Sequence, residues 1–164
     1  MSIVSDIEKL KKEKNAVILA HYYVDDDVQD VADYIGDSFY LSKVATKVSQ
    51  DRIIFAGVEF MGESAKILNP EKRVFMPDIN ADCPMAHMAD KDEILKLSEQ
   101  YDDLAVVCYI NSTAELKKYS DVCVTSSNAV KIVKNLPNKN IFFIPDRNLG
   151  HFVAKQCPDK NFIF

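Results

Sequence analysis

Seven side chains in this chain of 164 residues have a type and position suited to chemistry: His21, Tyr23, Ser38, Cys83, Tyr109, Asn111 and Ser126. His21 follows the apolar run Ala16-Val-Ile-Leu-Ala directly, and Tyr109 and Asn111 close the run that begins at Leu104. In open α/β sheets ligands gather beyond the carboxyl ends of strands, so these are places for functional groups. An imidazole there can act as acid, base or positioning donor toward a carbonyl or imine; the plain alternative is a histidine packed or exposed in a turn. Ser38 follows Gly36-Asp37 and opens a helix-like stretch, and Ser126 opens another. A hydroxyl at a helix start ordinarily caps the helix. Free N–H groups in the same place also bind phosphate or carboxylate. His21 to Ser38 and Tyr109 to Ser126 are both 17 residues apart, which predicts similar pockets in two halves of the chain.

Cys83 lies in Ala-Asp-Cys-Pro-Met-Ala, after a short apolar strand, and suits a metal thiolate in a loop. The other three cysteines, Cys108, Cys123 and Cys157, are expected to be small buried hydrophobes. No CxxC pair is present, and a chain so rich in apolar strands does not need disulfide staples. Asp25-Asp26-Asp27 could bind a hard cation, but capping of the following helix is the expected role. Glu59, Glu63 and Asp146 near strand ends are expected to be structural, buried acids.

Positioning these groups requires an alternation of strands and helices, and the sequence has one. Apolar runs at 16–20, 53–58, 74–76, 104–110, 121–125, 141–144 and 162–164 alternate with amphipathic stretches at 27–35, 38–49, 62–68, 91–100, 112–119 and 127–135. Buried parallel strands joined by helices give an α/β fold. The second half repeats the first at an offset of 88: Val17–Ala20 falls on Ala105–Cys108, Asp33 on Asp121, Gly62 on Gly150, Pro70 on Pro158 and Lys72 on Lys160. The expected fold is therefore α/β, as repeated three-layer α/β/α units with short parallel sheets. Residues 1–88 would form the first unit with the Cys83 loop, and 89–164 the second. In this register Phe164 answers Met76, and the counterpart of Cys83 would be residue 171, so the second unit is expected to be truncated before its own cysteine. Its uncovered faces should then favour self-association.

A net charge of −5 without a basic patch argues against nucleic acid and anionic membranes as partners. No apolar run nears the ~20 residues of a membrane span, and residues 1–14 lack an apolar leader core. A cytoplasmic location is the default expectation.

Several linked segments resemble quinolinate synthases. They are Ile18-Leu-Ala-His-Tyr-Tyr, Val28-Gln-Asp-Val-Ala-Asp, Gly36-Asp-Ser, the stretch Gly57 to Pro70, Ala81-Asp-Cys-Pro-Met-Ala, Val107 to Glu115, Cys123 to Ala129 and Ile144 to Gly150. The resemblance implies three pseudo-threefold repeats, of which two are here, and a condensation of iminoaspartate with dihydroxyacetone phosphate to quinolinate in NAD biosynthesis. It implies a [4Fe–4S] cluster, held by one cysteine from each repeat, whose open iron acts as Lewis acid. Only Cys83 matches a ligand position; Cys108, Cys123 and Cys157 do not. By the same resemblance His21, Tyr23 and Tyr109 are catalytic candidates, and His21, Tyr23, Ser38, Tyr109, Asn111 and Ser126 bind substrate. Val24 stands where the family often has glutamine. A missing third repeat, or a partner chain supplying it, is expected to complete the enzyme. The alternatives are a cluster-free module binding small anions and one half of a split enzyme.

Overall fold

The computed structural model describes residues 2–164. Two compact units divide the chain, the first ending at Cys83 and the second running Pro84–Phe164. Each contains one four-stranded, all-parallel sheet flanked by helices, so the expected α/β fold of repeated units is the observed one.

The first unit runs α1 (Ile3–Glu13), β1 (Ala16–His21), α2 (Asp26–Asp30), β2 (Tyr34–Gly36), α3 (Ser38–Ala45), β3 (Arg52–Ala56), α4 (Glu59–Leu68) and β4 (Arg73–Phe75). Its strand order is β2-β1-β3-β4. The second unit opens with a 3-10 turn, Pro84–His87, and continues α5 (Lys91–Gln100), β5 (Leu104–Tyr109), α6 (Ala114–Lys118), β6 (Val122–Val124), α7 (Ala129–Asn135), β7 (Asn140–Ile144), α8 (Arg147–Gln156) and β8 (Asn161–Ile163). Its order is β6-β5-β7-β8.

The repeat is more regular in structure than in sequence. Adding 88 to the bounds of β1, β2, β3, β4, α2 and α4 reproduces the bounds of β5, β6, β7, β8, α6 and α8. Ladder pairs shift by the same amount: Val17↔Ile53 becomes Ala105↔Ile141, and His21↔Gly36 becomes Tyr109↔Val124.

Polar side chains that bond the backbone hold this frame. Asp33 Oδ2 accepts from the Ile18 N–H at 2.8 Å while the Asp33 N–H donates to the Ile18 carbonyl at 2.9 Å. Asp121 makes the same clasp with Val106, at 2.7 and 3.0 Å. Lys72 Nζ donates to the carbonyls of Ala45 and Val48; Lys160 Nζ donates to those of Leu136 and Asn138. The two lysines thus cover the carbonyl ends of α3 and α7, where a cation suits the backbone partial charge. Gly62 and Gly150 serve one purpose in the two units. A Cβ on Gly62 would stand 2.2 Å from Met76 Sδ, and one on Gly150 2.6 Å from a Phe164 ring carbon. Each glycine lets the residue just after the last strand lie against the helix.

The structure corrects some local expectations. Tyr34–Gly36 is a strand, not the end of a helix from 27 to 35, and α2 is only five residues long. Asp25 stands at the start of α2 without a side-chain capping bond. Glu59 is exposed rather than a buried acid, whereas Asp146 is half-buried and caps α8 by accepting from the Leu149 N–H at 3.0 Å. Cys108 and Cys157 are buried as expected, but Cys123 is exposed, because β6 is an edge strand.

Candidate functional site

In each unit the candidate groups collect at the carboxyl end of the first strand. His21 is the last residue of β1, and Tyr109, the last of β5, occupies the same place in the repeat. The chain then turns in the same way in both: the Tyr22 N–H donates to the Gly36 carbonyl at 3.2 Å, and the Ile110 N–H to the Val124 carbonyl at 2.8 Å.

His21 is only 8% exposed. Its ring stacks on Tyr22, with centroids 4.6 Å apart, and meets Tyr23 edge-on at 4.7 Å. The Tyr23 N–H donates to His21 Nδ1 at 3.3 Å. An Nδ1 that accepts is unprotonated, so the neutral ring carries its proton on Nε2. Burial lowers the imidazole pKa, outweighing the opposing pull of the Asp37 carboxylate. The result at neutral pH is an uncharged imidazole with one defined donor. Tyr23, by contrast, is 81% exposed, and its ring stands at the mouth of this turn.

Ser38 is the first residue of α3 and half-buried. The cap of that helix is Asp37, whose carboxylate accepts from the Tyr40 N–H at 2.7 Å, so Ser38 is not the capping group. Asp37 therefore both opens α3 and acts electrostatically on His21. The Gly-Asp-Ser order carried that signal, since aspartate before a helix start is a common cap.

In the second unit Asn111 Nδ2 donates to the Tyr109 hydroxyl at 3.2 Å, which orients the phenol at the strand end. Ser126 departs from expectation. It is exposed and lies in a turn, with α7 starting only at Ala129. Asn128 Oδ1 accepts from the Thr125 N–H at 2.7 Å and closes that turn, displacing the helix start by three residues from its counterpart. The structure thus brings His21, Tyr23 and Ser38 to one end of the first sheet and Tyr109, Asn111 and Ser126 to the same end of the second.

Cys83 is half-buried in the loop after β4. The Ala81 carbonyl accepts from the Glu59 N–H at 2.8 Å, which ties this loop to the start of α4. The Cys83 N–H donates to Asp82 Oδ1 at 2.7 Å. Among the described residues no three histidine, cysteine or acidic side chains are grouped to hold a metal ion. Among the described residues no helix is long and apolar enough to cross a membrane.

The family model described as Quinolinate synthetase A protein matches residues 5–164. Among curated proteins the chain is 66% identical over 157 residues to one named quinolinate synthase from Fusobacterium nucleatum, covering 96% of this chain and 53% of that protein. It is 57% identical to one of the same name from Clostridioides difficile, covering 96% and 52%. A third, from Caldicellulosiruptor saccharolyticus, is 55% identical, with 98% and 53% covered. The chain spans about half the length of these relatives.

Proposed function

This chain belongs to the quinolinate synthetase A family, and from that premise we propose that it forms the first two repeated units of a quinolinate synthase acting in NAD biosynthesis. The reaction would condense iminoaspartate with dihydroxyacetone phosphate, releasing phosphate and water. The observation that carries this reading is His21, a buried neutral imidazole with its Nε2 proton defined, at the strand end where an α/β unit meets its ligand.

In this reading each residue has a role its environment suits. His21 Nε2–H donates to the oxygen or imine nitrogen of a substrate, and its depressed pKa lets the ring return from a protonated state readily. Tyr23 covers the site from its exposed position and Tyr109, oriented by Asn111, takes the equivalent place in the second unit. Ser38 supplies a hydroxyl beside the first N–H groups of α3, a setting that favours carboxylate or phosphate. Ser126 lends a hydroxyl from its turn. Cys83 would provide one thiolate of a [4Fe–4S] cluster, which when bound supplies an electrophilic iron. The remaining ligands would come from outside this chain, from a third unit or a partner chain. A cytoplasmic location is part of the same proposal.

The test is quinolinate formation, assayed without oxygen, by this chain combined with a third unit from a relative. The combined protein should form quinolinate, and His21→Ala should lower the rate by about 10²–10⁴-fold in protein that circular dichroism shows to be folded. Undiminished turnover in that variant would remove His21 from the chemistry. No quinolinate from iron-loaded, folded protein would overturn the assigned reaction.

A further inference from the structure

The second unit holds two thiols side by side that the proposed reaction does not use. Cys108 lies in β5 and is fully buried; Cys123 is the middle residue of the edge strand β6 and is exposed. They are paired in register across the parallel ladder. Neighbouring strands lie ~4.8 Å apart, and a disulfide spans Cα atoms ~4.4–6.8 Å apart. Residues paired in register point to the same face of a sheet. For Cys108 that face is the one packed with Ile94 and Leu116. The Ser112 hydroxyl lies 2.9 Å from Cys108 Sγ, and Lys117 Nζ donates to the Ser112 carbonyl at 2.6 Å, bringing a positive charge close to the pair.

We propose that Cys108 and Cys123 are a reversible thiol–disulfide modification site that reacts with small-molecule disulfides through the exposed residue Cys123. The neighbouring Cys123 thiol, opposed by burial and helped by Ser112, Ser120 and the Lys117 charge, brings the Cys108 thiol down to about 7. The neighbouring Cys108, with burial, pushes the Cys123 thiol up. The pair therefore carries one shared negative charge near neutral pH.

The chemistry balances with oxidised glutathione as the oxidant. As the Cys108 thiolate takes the Cys123 proton, the Cys123 sulfur attacks one glutathione sulfur, forms a Cys123–glutathione disulfide and expels one glutathione thiolate, which removes that proton from Cys108. Cys108, deprotonated beside Ser112 and Lys117, then attacks the Cys123 sulfur and expels the second glutathione thiolate. One cysteine thiol and one thiolate are oxidised to one disulfide, and one oxidised glutathione is reduced to two thiols, which take the pair's one proton and one from solvent.

Cleavage after lysine and arginine places the four cysteines on four different peptides, so mass spectrometry reads the product directly. The full chain would be incubated with oxidised glutathione, its remaining thiols alkylated, and the digest analysed without reductant. The expected product links the Cys108 and Cys123 peptides, lacks two hydrogens and reopens with dithiothreitol. Cys108→Ser should instead accumulate glutathione on Cys123. Cys123→Ser should leave Cys108 unmodified over the time in which the unaltered chain closes. Circular dichroism checks that both variants fold, and the unaltered chain decides the matter if they do not. Stable glutathione on Cys123 in the unaltered chain, two free thiols after treatment, or linkage to Cys83, Cys157 or a second chain would overturn the proposal.

Discussion

The two units share a frame but cover one face of their sheets by different means. In the second unit α5 buries Ile94 against Val106 and Phe142, and Leu116 of α6 completes that layer. In the first unit the corresponding helix, α1, buries no residue completely. It is held by Lys11, which pairs with Asp33 at 2.9 Å and Glu8 at 2.7 Å and donates to the Val31 carbonyl at 3.1 Å. Between Ile7 and Leu10 of α1 and Ile18, Ile54 and Phe75 of the sheet lies a cleft of about 380 Å³. The repeat register shows the cause: Phe142 stands where the first unit has Ile54, Leu116 where it has Val28, and Ile94 where it has Asp6. Smaller or polar side chains leave the space, and the half-buried Lys11 with its partners Asp33 and Glu8 takes over the anchoring. The aspartate clasps and lysine caps are common to both units, so the backbone frame is kept while the filling of this face changes.

That contrast can be broken most severely at its best-packed point. Phe142→Ala should destabilise the second unit by about 3–5 kcal/mol. Its counterpart Ile54→Ala should cost only about 1–2 kcal/mol, because the surroundings already hold a cleft. Urea unfolding followed by amide hydrogen exchange in each unit measures both, and equal losses would show that the layers are packed alike.

The clasps come next. Asp33→Ala and Asp121→Ala should each cost about 1–3 kcal/mol, since a strand N–H loses its acceptor. The loss at Asp33 should be the larger, because Lys11 loses its partner too. Thermal unfolding of the two variants decides the order.

A smaller effect should sharpen the comparison from the other side. Ile54→Phe gives the first unit the residue of the second and should raise stability by about 0.5–1.5 kcal/mol as it fills the cleft. A loss of stability would mean that the cleft cannot accept the ring.

The smallest effect is the charge of Lys11 itself. Burial lowers its pKa, but hydrogen bonds and attraction to Glu8 and Asp33 outweigh this and raise it above 10.5. A raised folded pKa gives stabilisation that is complete below the unfolded value and fades as pH climbs through the folded one. The advantage of the natural chain over Lys11→Met should be about 0.3–1 kcal/mol at neutral pH and disappear in strong alkali. Melting temperatures across that range test the sign.

Much of this frame was legible in the sequence. Seven of the eight strands announce themselves as apolar runs, and the offset of 88 aligned them before any coordinates. Tyr34–Gly36 escaped because three residues between two aspartates have no period to recognise, although its counterpart Val122–Val124 was plain. The strand-end residues His21 and Tyr109 were legible because parallel topology fixes which end of a run is functional. Two things were not. The start of α7 depends on the Asn128 turn, a local competition between side chain and backbone. The meeting of Cys108 with Cys123 arises from strand pairing across 15 residues, which no local spacing encodes.

The aspartate clasps also bear on how the chain assembles. Each ties residues 15 apart, Ile18 to Asp33 and Val106 to Asp121, so each closes a short loop within its own unit. Short loops close at little entropic cost, and chains rich in such contacts fold fast. Both units therefore carry a private starting point for folding, at residues 16–36 and 104–124. A chain emerging from the ribosome would have its first nucleus in hand before the second had been synthesised.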